Sequence, residues 1–122
     1  MTVRPRLEFC LDTCDREPLV EFWTQALGYV RGDANETYVE LLDPTGNQAP
    51  LVLQTVPEGR GGKNRAHLDL YLPDGEWQEH VARVIALGAT RVRDTPSYTV
   101  LQDPEGNEFC VCRDERPATA SG

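Results

Sequence analysis

A chain of 122 residues has the size of one compact domain and is short for two ordinary ones. Twelve lysines and arginines against twenty acidic residues leave a net charge of −8, which argues against nonspecific binding to nucleic acid or an anionic membrane and suits a cationic ligand. At 39% hydrophobic and 26% charged the composition is globular; the opening MTVRPRLEFC lacks the apolar run of a signal peptide, and no stretch approaches the roughly 20 residues of a membrane helix. A soluble cytoplasmic protein is expected.

Leu7, Phe9 and Leu11 alternate with Glu8, Cys10 and Asp12, which predicts a half-buried strand over 6–13. Leu19, Phe22, Trp23, Ala26 and Leu27 then fall at helical spacing, so a helix is predicted over 18–27, with Pro18 in its first turn and Gly28 closing it. Short strands are predicted at 29–31 and 37–42, followed by the turn Asp43-Pro44-Thr45-Gly46 and a strand over 51–56. Past PEGRGGKN the order returns: strand 66–72, helix 76–87, strands 90–93 and 98–102, the turn Asp103-Pro104-Glu105-Gly106, and strand 108–112. Residues 115–122 read as a disordered tail.

The return is a duplication. Ala26-Leu27-Gly28 recurs as Ala86-Leu87-Gly88, Tyr38 as Tyr98, and Asp43-Pro44-Thr45-Gly46-Asn47 as Asp103-Pro104-Glu105-Gly106-Asn107, all at an offset of 60 residues. Any one match is weak, but a shared register across them is hard to reach by chance. One domain, residues 1–114, is therefore expected to hold two βαβββ units, about 5–56 and 64–113, joined by a linker over 57–63.

Period-two alternation separates the faces of the strands. Leu68, Leu70 and Leu72 belong against a helix, leaving His67, Asp69 and Tyr71 opposite; Phe109 and Val111 likewise leave Glu108, Cys110 and Cys112, and Leu51 and Leu53 leave Val52 and Gln54. With Glu8, Cys10 and Asp12 these residues make an unusually polar sheet face. A solvated face is the plain reading; two such sheets around a common axis would make a cup lined with titratable groups.

The duplicated unit resembles the vicinal oxygen chelate superfamily of glyoxalase I, bleomycin-resistance proteins and extradiol dioxygenases. The likeness rests on Asp15 through Phe22-Trp23 to Ala26-Leu27-Gly28, on Lys63-Asn64-Arg65-Ala66-His67-Leu68-Asp69, and on Asp103-Pro104-Glu105-Gly106-Asn107-Glu108-Phe109. It implies an α+β fold in which two tandem βαβββ units form a curved, mostly antiparallel sheet around a cup-shaped pocket, helices outside. It also implies a homodimer with a small-molecule ligand. Chelating members take one ligand from the first and last strand of each half, which falls here on Glu8, Gln54, His67 and Cys110. Glu8 lies seven residues before Asp15 and His67 seven before Asp74, so the two are equivalent. Of the glyoxalase I pattern only His67 matches; Gln54 cannot take a proton and a thiol is not the usual base, so glyoxalase I activity itself is not expected. A mixed carboxylate, amide, imidazole and thiol set suits zinc or iron, with nickel and manganese as further candidates.

Other motifs fail. Arg60-Gly61-Gly62-Lys63 lacks the glycine and the Ser or Thr of a phosphate loop. Arg60, Lys63 and Arg65 form a basic hinge that would guide an anion if it were more than solvated. His80 reads as a solvated helix residue, Trp23 as core. The sequon at Asn35 is inert inside a cell. Cys10, Cys14, Cys110 and Cys112 lack zinc-knuckle spacing and read as reduced thiols.

Two functional classes follow, with an interaction module as a third. One is an enzyme of lyase, isomerase or dioxygenase type acting on a small oxygenated metabolite, with Glu8 and His67 catalytic and Asp12, Gln54, Asp69, Tyr71 and Cys110 on the substrate. The other is a non-catalytic binder of the bleomycin-resistance type.

Overall fold

The helical spacing of apolar residues after Asp15 becomes α1 (Arg16–Leu27), which buries Leu19, Val20, Phe22, Trp23 and Ala26. It stops at Gly28, whose φ of 70° is left-handed and whose N–H bonds the Thr24 carbonyl, a conformation that favours glycine. The computed structural model describes residues 6–57, 59, 61, 62, 64 and 66–115. Arg60, Lys63 and Arg65 of the expected basic hinge, and the expected tail from 116 on, lie outside the described residues.

Around α1 run β1 (Phe9–Thr13), β2 (Val30–Ala34), β3 (Tyr38–Leu42) and β4 (Leu51–Thr55). After the linker come β5 (Leu68–Leu72), α2 (Trp77–Ala86), β6 (Thr90–Asp94), β7 (Tyr98–Gln102) and β8 (Glu108–Arg113). The chain divides into two compact units, Met1–Gly61 and Gly62–Gly122, with the boundary inside the expected linker. Each is βαβββ with one open, mixed four-stranded sheet, ordered β1-β4-β3-β2 in the first and β5-β8-β7-β6 in the second. The first and last strands of a unit pair in parallel, and the other two pairings are antiparallel.

The helix-facing layer follows the alternation of the sequence. Val39, Leu41, Leu51 and Leu53 are buried in the first unit, where the Phe22 and Trp23 rings meet edge to face with centroids 5.1 Å apart. Leu101, Phe109 and Val111 are buried in the second, as are Trp77, Val81 and Val84 of α2. Each such side chain contributes roughly 1.5–3 kcal/mol by leaving water.

Most element ends move by one to three residues, and two of those shifts and one face bear on the site. β1 starts at Phe9 and β5 at Leu68, so Glu8 and His67 precede their strands rather than lying in them. Leu7 and Phe9, expected against the helix, are 62% and 46% exposed. The reason is topological: β1 is the outer strand of its sheet, and α1 packs chiefly on β4.

Each Asp-Pro turn fixes the entry to the last strand of its unit. The Asp43 carboxylate accepts from the backbone N–H of Thr45, Asn47 and Gln48 and from the Thr45 hydroxyl. Asp103, 2% exposed, accepts from the N–H groups of Glu105 and Asn107 and from the Asn107 amide, which Asn64 contacts in turn. Asn64 also accepts from the Glu108 N–H, so this network sets where β8 begins.

Candidate functional site

On the face of the second sheet away from α2, strand register arranges side chains in rows. Asp69 lies opposite Cys110, Cys110 opposite Val100, and Val100 opposite Arg93. The next row joins Tyr71, Cys112 and Tyr98. These rows floor a cleft of about 550 Å³, and His67 and Glu108 stand at its β5–β8 side.

At one side of this cleft three donors converge. The His67 imidazole, the Asp69 carboxylate and the Cys110 thiol place one ligand atom each within 4.8 Å of one another. His67 Nε2 is 3.2 Å from Asp69 Oδ1. His67 and Asp69 are exposed and Cys110 is buried. Burial pushes the Cys110 thiol up to about 11, and the Asp69 charge and a hydrogen bond to Asp69 act in the same direction. Burial first and Asp69 second also push Cys112 up to about 11. Without a cation beside them, both thiols are protonated at neutral pH and neither is a base.

The donor set passes a chemical test for a divalent metal. Imidazole nitrogen and thiolate sulfur both suit zinc and iron, a carboxylate serves either, and three protein ligands leave a position for an outside oxygen. Manganese and calcium favour all-oxygen shells and fit the thiol less well.

The remaining sequence-assigned residues lie in the first unit. Glu8 is ion-paired with Arg6. Gln54 Oε1 accepts from the Cys10 thiol at 3.5 Å, and Asp12 lies opposite Gln54 across β1 and β4. Burial chiefly, then Asp12 and Glu8, raise the Cys10 thiol. Register also revises one equivalence. Gln54 lies opposite Tyr38 and Cys112 opposite Tyr98, so Cys112 is the counterpart of Gln54, and Val52 that of Cys110. The first loop is two residues longer than the second: Asp43 to Leu51 against Asp103 to Phe109. Trp23 is core, and His80 is half-buried on α2 and does not line the cleft.

Sequence reasoning missed Val92, Arg93, Tyr98 and Val100. Tyr98 and Val100 were legible, since the buried pair Thr99 and Leu101 alternates with them. Val92 and Arg93 were not. A register shift between Arg91 and Arg93 puts these consecutive residues on one cleft, which strict alternation forbids.

Residues 8–112 match the sequence pattern of the glyoxalase-like domain. A comparison with curated proteins finds no match. Among solved structures, a glyoxalase-related enzyme from Fulvimarina pelagi is 17% identical with a TM-score of 0.77, covering 98% of this chain and 96% of its own. A glyoxalase/bleomycin resistance protein/dioxygenase family enzyme from Burkholderia phytofirmans PsJN is 19% identical with a TM-score of 0.73, covering 87% and 95%. A mutant of the fosfomycin resistance protein FosX from Listeria monocytogenes, complexed with Mn(II) and 1S,2S-dihydroxypropylphosphonic acid, is 13% identical with a TM-score of 0.75, covering 91% and 90%.

Proposed function

The chain belongs to the glyoxalase-like domain family, and on that premise we propose that it is a metal-assisted protein of glyoxalase type that takes a small oxygenated metabolite into the cleft of its second unit. The observation that carries this reading is the convergence of His67, Asp69 and Cys110 at one side of that cleft. His67 and Cys110 keep the metal roles read from the sequence, and Asp69 moves from substrate contact to ligand. Glu8 and Gln54 remain the proposed donors of the first unit, where Asp12 beside Gln54 is proposed to contact substrate, and Tyr71 is proposed to do so in the cleft of the second. Zinc or iron is the metal that the thiol favours.

When bound, such an ion supplies Lewis-acid polarisation of a ligand oxygen. The chain's own groups do the rest. Asp69 would orient the His67 ring, the Cys110 thiol would have to lose its proton to serve as a ligand, and Tyr71 and Tyr98 line the cleft where the ligand's body would lie. Isomerase, lyase or dioxygenase chemistry fits this better than the glyoxalase I reaction, whose pattern calls for a carboxylate base where this chain has the Gln54 amide and the Cys110 thiol, leaving Glu8 and His67 as the proposed acid–base pair. The missing carboxylates at Gln54 and Cys110 also favour a second reading, a non-catalytic binder of the bleomycin-resistance kind.

Four free thiols support a reducing, cytoplasmic setting. No described helix is long and apolar enough to cross a membrane. Exposed Leu7 and Phe9 at the outer strand β1 support a homodimer, which light scattering tests. The deciding experiment on function is elemental analysis of protein purified without chelator, repeated on His67→Ala. Near one equivalent of zinc or iron, lost in the variant, is expected. No metal, and no uptake after incubation with each ion, would overturn the metal-assisted reading and leave the binder.

A further inference from the structure

The cleft of the second unit is polarised. Asp69, Glu108, His67 and the Cys110 thiol occupy its β5–β8 side. Among the described lining residues Arg93 is the only lysine or arginine, and it stands across the sheet on β6. Adjacent strands are roughly 4.8 Å apart, so the Arg93 backbone, two strands from Cys110, is anchored about 10 Å from it.

Most other described arginines of this acidic chain are already occupied. Arg6 pairs with Glu8, Arg16 and Arg31 with Glu17, Arg91 with Asp94 at 2.6 Å, and Arg113 with Glu115. Arg93 has no ion pair and no side-chain hydrogen bond among the described residues; its charge is felt by the Cys110 thiol across the cleft. The bulge that turns Arg93 onto the same cleft as Val92 costs the ladder a regular pair. A guanidinium aimed into a cleft with its five donors unspent is built for an oxyanion, which it binds through two parallel hydrogen bonds.

We propose that Arg93 is the anion-recognition residue of the cleft, and that the ligand carries a carboxylate or phosphate at the end remote from His67, Asp69 and Cys110. This rests on the reading of the cleft as a ligand site. It reverses for the cleft the preference for a cation that the net charge of −8 suggests. The acidic groups on the β5–β8 side repel the anionic end, so a ligand enters in one orientation, oxygenated end toward the donor cluster. The two tyrosines hold its body.

Calorimetric titration of the full chain with matched probes tests this. 2-Oxoglutarate and 2-oxopentanoate share a five-carbon 2-oxo acid and differ only in the distal carboxylate; 4-phosphono-2-oxobutanoate replaces that carboxylate with a phosphonate. Wild-type protein should bind 2-oxoglutarate at least tenfold tighter than 2-oxopentanoate. Arg93→Gln should abolish that preference, and Arg93→Lys should keep part of it, with circular dichroism confirming that both variants fold. Either order of the carboxylate and phosphonate probes supports the proposal and tells which anion the site prefers. Equal affinity of the matched pair for wild type, a preference that survives Arg93→Gln, or no binding of any probe would each overturn it. His67→Ala separates the two readings. If it leaves all affinities unchanged while Arg93→Gln erases the preference, the metal reading fails and the role of Arg93 stands.

Discussion

The two units repeat one template, yet among the described residues only the second gathers donors of metal-binding chemistry at a cleft. Their helix-facing layers correspond closely, with Leu51 and Leu53 of β4 matched by Phe109 and Val111 of β8. Their opposite faces do not correspond. Where the second unit has Asp69 beside Cys110, the first has Cys10 beside Val52; where the second has Tyr71 beside Cys112, the first has Asp12 beside Gln54. Packing constrains the layer that meets the helix, because a lost methylene there is felt. The other face is free to vary, so chemistry is assigned there by few substitutions. A duplicated fold thus separates stability from function within one strand, residue by residue.

The sharpest way to break this asymmetry is to truncate side chains on the face away from the helix in each unit in turn. Cys110→Ala and His67→Ala should each lower metal affinity by more than the roughly 10–100-fold that loss of an outer-shell partner costs. Cys10→Ala and Asp12→Ala should leave the affinity within a few-fold of wild type. Competition against a colorimetric chelator measures all four. An equal loss in Cys10→Ala would place the working site in the first unit and sink the contrast.

Thiol chemistry gives a second separation. A thiol pushed up to about 11 is thiolate at only about one part in ten thousand at pH 7. In metal-free protein, Cys110 and Cys112 should therefore alkylate far more slowly with iodoacetamide than exposed Cys14, and should accelerate as pH rises toward 11. Peptide mapping by mass spectrometry reads each rate. Equal rates at all three positions at pH 7 would mean that the second-unit face is not as secluded as its burial indicates.

The matched cores should behave alike where the faces do not. Phe109→Ala removes a fully buried ring and should cost about 3–5 kcal/mol; Leu51→Ala, its counterpart by register, should cost about 2–5 kcal/mol. Denaturant midpoints measure both. A Phe109→Ala cost below about 1 kcal/mol would deny that the second helix-facing layer carries its unit.

How much of this was legible follows the same division. The offset of 60 residues announced the duplication, and period-two alternation placed Asp69, Tyr71 and Cys110 on one face because β5 and β8 run regularly there. Arg93 was hidden because a bulge breaks the period at Val92, and a bulge has no signature in residue types. The correspondence of Gln54 with Cys110 that the chelating pattern implied fails because the first loop is two residues longer, which strand register reveals and residue types do not. Leu7 and Phe9 were misassigned because alternation reports a half-apolar strand, and which neighbour covers it depends on strand order.

The smallest expected effect lies in the turns. In the first unit the backbone N–H of Thr45, then the Thr45 hydroxyl, and the N–H groups of Gln48 and Asn47 hold the Asp43 carboxyl below the usual carboxylate range. A lowered folded-state value means that the contribution is fully present above the unfolded value of about 4 and is lost as pH falls through the lowered one. Asp43→Asn should thus lower the denaturant midpoint slightly at pH 7, and the gap between variant and wild type should close as pH drops below about 4. The solvent-exposed setting of Asp43 keeps the effect small. A gap that persisted unchanged at pH 2.5 would mean that the turn is held by its backbone geometry, Gly46 at φ 75° included, rather than by the charge of its aspartate.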